Sequence, residues 1–173
     1  MHVLGKRAAT VWLAFVTPFL MGAANLGSDL DARLLWAHNQ ERADLGLPLL
    51  IWNDELAAGA KEWSDYLAAT GRFEHSPDEP GQKAIGENIW SGTTGRYHPE
   101  EMVGRWIAEK DKFKQGPFPF NSTSGKVEDV SHYTQLIWRG SRNVGCAVTS
   151  HPNGDILVCR YSSPGNIVGG RPI

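Results

Sequence analysis

NVGCAVTSHPNGDILVCRY, residues 143–161, alternates side chains about a central turn. Val144, Cys146 and Val148 fall on one side of the first half, and Leu157, Cys159 and Tyr161 share one side of the second, the period-two pattern of half-buried strands. The intervening HPNGD at 151–155 is a turn signal, so the stretch is expected to be a β-hairpin. A loop of four residues, His151 to Gly154, would set Cys146 directly opposite Cys159. A loop of only Asn153-Gly154 would make them diagonal neighbours on the same face. Either register keeps the two cysteines of the chain close, and a bridge closing about 14 residues adds roughly 3 kcal/mol in the chain-entropy model.

Helices are expected around this hairpin. Ser28 and Asp31 resemble a capping box, Leu30, Leu34, Ala37 and Glu41 follow helical spacing, and Gly46 with Pro48 closes a first helix over 29–45. A second helix starts at Asn53 or Asp54, aligns Leu56, Ala60, Trp63 and Leu67, and stops at Gly71. Pro99 suits the first position of a third, which runs through Met102, Trp106 and Phe113. Residues 84–91 read as a strand and 129–137 as a short fourth helix.

The 173 residues are 41% hydrophobic and 21% charged, the make-up of one folded domain without repeats or charge runs. Lys6 and Arg7 precede an apolar run, Ala8 to Met21, and small residues at Gly22 and Ala24, the pattern of a secretory signal over 1–24 with a single domain over 25–173. The run is short of the roughly 20 residues a membrane-spanning helix needs, so no stable span is expected after cleavage. Removing Lys6 and Arg7 from the 17 basic residues leaves 15 against 19 acidic, a charge of −4, which argues against nucleic acid as a partner. Export to an extracellular or periplasmic location agrees with a disulfide.

Four ionisable residues stand in apolar surroundings: His75 in FEHS, Glu87 in GENIW, Glu109 in WIAEK and His132 in SHYTQLIW. A regular helix turns Glu109 onto the stripe of Met102, Trp106 and Phe113; the plainer alternative is a surface pair with Arg105. Glu87 shares a strand face with Ile85 and Ile89. Taken singly, each histidine fits a hydrogen-bonded structural role as well as a ligand role. No Gly-rich phosphate loop, HExxH helix or GxSxG elbow is present. Ser76 and Ser131 adjoin the histidines in sequence and so do not face them. A glycosidase pair would use the glutamates and leave both histidines idle.

Four blocks, HNQER at 38–42, GENI at 86–89, HYTQLIW at 132–138 and VCRYSSPGNIVG at 158–169, follow the order and approximate spacing of the signatures of the CAP superfamily, also called SCP domains. From about Leu30 to the C-terminus the chain resembles these cysteine-rich secretory, antigen 5 and pathogenesis-related group one proteins. Ser131 stands where the family usually has glycine, and the cysteine-poor form resembles a bacterial-type member. The resemblance implies an α+β fold, a three-layer α-β-α sandwich in which about four helices flank a small antiparallel sheet. It also implies that His75, Glu87, Glu109 and His132 meet in one cleft, with His75 and His132 weakly holding zinc or another divalent cation. His38 and Arg42 are read as structural.

Three functions follow. The first is an extracellular binding module for a small apolar ligand such as a sterol or fatty acid, with Phe113, Phe118 and Phe120 on a long loop and Trp90 and Trp106 contributing a groove. The second is a host- or partner-interaction protein whose protein partner is not named by the sequence. As an alternative, Glu87 or Glu109 would be the catalytic base of a metal-dependent, peptidase-like hydrolase.

Overall fold

The hairpin forms the centre of a four-stranded sheet in the computed structural model, which describes residues 26–77, 81 and 84–173. Strands β3 (Asn143–His151) and β4 (Gly154–Ser162) pair antiparallel with Cys146 opposite Cys159. This is the register of the four-residue loop with one further pair, His151 on Gly154, so only Pro152 and Asn153 remain in the turn. The cysteines form a disulfide.

The sheet order is β1-β3-β4-β2. Strand β2 (Gly86–Gly92) pairs antiparallel with β4, while the two-residue β1 (Ile51–Trp52) pairs parallel with β3. The expected small antiparallel sheet is present in β2, β4 and β3, and the parallel β1 adds to its edge: two residues at the end of a connecting loop carry no detectable strand period.

Helix α2 (Asp54–Thr70) covers one face of the sheet. Ala60, Leu67 and Ala68 from it meet Ile89, Ala147, Ile156 and Val158. Its ends follow local rules: the Asn53 side chain accepts from the Leu56 N–H at 2.8 Å, and Gly71 adopts the left-handed conformation, with φ 69°. Gly145 of β3 allows the close approach, because a Cβ there would lie 2.2 Å from the Ala57 nitrogen. The other face carries α1 (Leu26–Asp44), α3 (Pro99–Ile107) and α4 (Ser131–Leu136), whose Leu34, Val103, Trp106 and Leu136 bury Val144, Leu157, Tyr161 and the disulfide. The three-layer α+β sandwich with four helices is therefore present.

Two helix boundaries are corrected. The third helix ends at Ile107 and tightens into a 3-10 turn, Ala108–Lys112, instead of continuing through Phe113. The segment expected as one helix over 129–137 is a 3-10 turn, Val127–Asp129, followed by α4. The signal segment 1–24 lies outside the described residues. Among the described residues no helix is long and apolar enough to cross a membrane.

Candidate functional site

Glu87 lies on β2 opposite Arg160 of β4, on the face covered by α2. Its carboxylate is fully engaged. Oε1 accepts from His75 Nδ1 and from the Ser76 N–H, both at 2.9 Å. Oε2 accepts from the Ser76 hydroxyl at 2.8 Å and from Arg160 Nε at 3.3 Å. Burial alone would raise this carboxyl, but the bonds from His75 and Ser76 and the charge of Arg160 outweigh it and hold it below the usual carboxylate range. Gly59 of α2 makes the arrangement fit, since a Cβ there would fall 2.5 Å from Arg160 Nη1. His75 itself, on the loop after α2, is 59% exposed.

The second pair is mounted on helices. Glu109 sits in the 3-10 turn after α3, where Oε1 accepts from His132 Nδ1 at 2.6 Å and Oε2 accepts from the backbone N–H groups of His132 and Tyr133, both at 3.0 Å. It thus reaches across from another element to satisfy the first N–H groups of α4, which have no partner inside the helix. Trp106 stacks on the His132 ring at 6.2 Å between centroids and 13° between planes. The neighbouring Lys110 bonds Glu41 of α1, whose carboxylate also accepts from the Tyr133 hydroxyl at 2.8 Å. Glu109 is inward-facing, but through the 3-10 turn and not through a continuous helical stripe.

Each histidine is thus brought to one glutamate, and the two pairs flank the same edge strand. Asn88, next to Glu87, donates to the His132 carbonyl at 3.0 Å. A carboxylate can only accept, so Nδ1 is the protonated nitrogen of each neutral ring and Nε2 keeps its lone pair. Among the described residues no three of the four ligand atoms gather within 4.8 Å of one another; the one group that does is His38 with the bridged Cys146 and Cys159.

His38 and Arg42 are structural, as read from the sequence. His38 Nδ1 bonds the Leu34 carbonyl at 2.7 Å, so it is the donor, and Nε2 accepts from the Tyr161 hydroxyl at 2.8 Å. Burial pushes its pKa down to about 4, so it is neutral at pH 7. Arg42 donates to the carbonyls of Pro48, Leu136, Trp138 and Ser141, tying α1 to the end of α4.

The three phenylalanines of the loop differ in exposure. Phe113 and Phe118 are both half-buried, Phe113 packed against the core and edge-on to Tyr133 at 5.4 Å, Phe118 with its backbone paired with Gly169 and Gly170. Phe120 is 74% exposed. Trp106 is buried in the core and Trp90 is packed edge-on against Tyr97. Asn121 of the Asn-Ser-Thr sequon is fully buried.

A cavity of ≈ 910 Å³ opens between α2, the His75 loop, β2 and residues 164–166. It contains the His75–Glu87 pair but not Glu109 or His132, and its walls include Trp63, Tyr66 and Arg160. The sequence places Trp63 on the buried stripe of α2 and offers Ser76 only as a nucleophile that does not face His75; Tyr66 and Arg160 were not singled out. The spacing of Trp63 and Tyr66, three apart on a helix, was the available signal.

Residues 35–161 match the cysteine-rich secretory protein family, CAP. The chain belongs to the CAP family. This CAP domain is 35% identical over 137 residues to pathogenesis-related protein 1C of Nicotiana tabacum, covering 79% of this chain and 76% of the relative. It is 32% identical over 164 residues to a PR-1 type pathogenesis-related protein of Sambucus nigra, covering 94% and 93%. In fold it is similar to NaASP2, solved with Zn2+, with a TM-score of 0.68, 23% identity and coverage of 82% of this chain and 83% of that one.

Proposed function

We propose that this CAP domain is an exported binding module that takes a divalent cation of the zinc class on the Nε2 atoms of His75 and His132. The observation that carries the reading is the matched hydrogen bonding of the two rings: each gives Nδ1 to a carboxylate, leaving the Nε2 lone pair for a cation. Carboxylate-backed imidazoles are the usual preparation of histidine ligands, because the carboxylate fixes the tautomer and raises the basicity of the ligating nitrogen. The donor set therefore fits the group. A bound cation would supply a positive centre for a polar ligand, and with no thiolate among its protein ligands it would be held weakly. Glu87 and Glu109 orient the rings, and Trp106 fixes the plane of His132. The disulfide and the apolar N-terminal segment support an extracellular or periplasmic location.

The engagement of the carboxylates weighs against the hydrolase alternative: Glu87 has all four acceptor positions filled and would give up a bond to take a proton from water, and Glu109 has three of its four filled. An apolar ligand such as a sterol or fatty acid keeps one supporting observation, the exposed Phe120 with Ile167 and Val168 at 54% and 78% exposure. Zinc titration by calorimetry at pH 7 is the test: one cation should bind wild type, and His75→Ala and His132→Ala should each abolish binding while circular dichroism stays unchanged. Equal zinc affinity in either alanine variant would overturn the cation site. Loss of fatty-acid binding in Phe120→Ser, with zinc binding retained, would support the apolar surface.

A further inference from the structure

We propose that the ≈ 910 Å³ cleft beside His75 is a groove for a neutral oligosaccharide, with Trp63 and Tyr66 as its stacking wall. The two rings lie nearly parallel, 4.7 Å between centroids and 21° between planes. Trp63 packs against the small core beneath α2 and its indole N–H is held by the Glu74 carbonyl at 3.0 Å, while Tyr66 is 37% exposed and presents the outer ring. A flat, anchored aromatic face is what the C–H face of a pyranose covers, because it removes apolar area from water without a conformational penalty for the ring.

The charges of the cleft favour a neutral chain. Glu87 is compensated by Arg160, leaving exposed Glu62 as a carboxylate facing the opening, which disfavours an anionic glycan. Around the aromatic wall Glu62 and His75 Nε2 accept, and the Tyr66 hydroxyl, which accepts from Arg72 Nη1 at 3.2 Å, has its O–H to donate, a set suited to sugar hydroxyls that both donate and accept. A lipid chain would call for an aliphatic lining; here the apolar lining beyond the two aromatics is Ile85, Ala84 and two prolines, mixed with polar groups. This ligand occupies the cleft that contains one half of the proposed cation site, but its wall does not depend on the cation.

The test uses the secreted protein with three neutral hexasaccharides as probes, chitohexaose, laminarihexaose and cellohexaose, read by saturation-transfer NMR and by quenching of tryptophan fluorescence. At least one should bind saturably, and Tyr66→Ala should weaken it by about tenfold, the equivalent of one stacking contact. Glu62→Gln should change the relative affinity for the three sugars, and Phe120→Ser should leave it unaltered. Trp63→Ala is expected to weaken binding further, but it also touches the core, so Tyr66→Ala and Glu62→Gln decide if that variant unfolds. Absence of saturation by every probe up to about 10 mM, or unchanged affinity in Tyr66→Ala, overturns the proposal. A chelator separates the two ideas: stripped protein that loses zinc and still binds sugar retains the groove, whereas zinc binding by a protein that takes no sugar retains the cation site alone.

Discussion

The two histidine–glutamate pairs use the same Nδ1-to-carboxylate bond and are mounted in opposite ways. His75 projects from a loop and is 59% exposed, with its partner Glu87 buried to 7% on a strand. His132 begins a helix, is 31% exposed, and is stacked on a buried tryptophan, while its partner Glu109 comes from a 3-10 turn. Glu87 spends its remaining lone pairs on one serine and one arginine, and so secures a loop to the sheet. Glu109 spends its own on the first N–H groups of α4, and so secures a helix to its layer. Identical side-chain chemistry thus holds an exposed imidazole arm on one side and a stacked one on the other, and the difference lies in the backbone each carboxylate holds.

Breaking the stacked arm is expected to cost most. Glu109→Ala strips the acceptor from two helix N–H groups and one imidazole, and should lower stability by about 3 kcal/mol in urea denaturation, because charged hydrogen bonds are worth about 1.5–3 kcal/mol each and the freed donors are partly solvated. Glu87→Ala leaves Arg160 without its ion pair and should cost about 2 kcal/mol, discounted because water reaches that guanidinium. Equal losses in the two variants would remove the distinction drawn between them.

Acid should loosen the helical layer first. His38 lies in the layer that carries the second pair, and its folded pKa of about 4 is below the ordinary value. An unfolded chain takes up this proton as pH falls through about 6.5, while the folded chain resists until about 4, so stability is present above 6.5 and is lost progressively between those values, by up to about 3 kcal/mol. Denaturation midpoints measured from pH 7 to 4 should fall accordingly, and amide exchange should rise in α4 before it changes near Ser76. A His38→Gln variant, if folded, should show a flatter slope over the same range.

The arm on the loop can be sharpened by smaller changes. Gly59→Ala puts a methyl group where Arg160 Nη1 lies and should displace the arginine from Glu87, costing about 1 kcal/mol. NMR titration should then show the Glu87 carboxyl moving up toward its usual range. Ser76→Ala removes one hydroxyl donor, leaves its N–H bond to Glu87, and should cost about 0.5–1 kcal/mol. Its clearer sign would be increased mobility of the His75 ring with no change at His132.

Much of the sheet centre was legible in residues 143–161, because alternation and a turn signal are properties of neighbouring residues. The disulfide followed from the same pattern, although the sequence left two registers open and pairing across the strands selected one. The start of α2 at Asn53 and its stop at Gly71 were also local, set by a side-chain cap and a left-handed glycine. Glu109 was less legible: the apolar stripe pointed it inward, but the change from α-helix to 3-10 turn depends on what α4 offers it. Phe113 and Phe120 are alike in sequence context and differ in burial, since the half-buried Phe113 meets Tyr133 and Phe120 meets solvent.

By itself the sequence determined the family blocks, the helix and hairpin periods, and the residue types available for coordination, because these are short-range or compositional. Tertiary structure alone decided which carboxylate holds which imidazole, that both Nδ1 atoms are taken and both Nε2 atoms left, and that Tyr66 and Trp63 stand beside His75. Those facts rest on contacts between residues 11 to 73 positions apart, as in Trp63 with Glu74 and Glu87 with Arg160, and no local period encodes such distances.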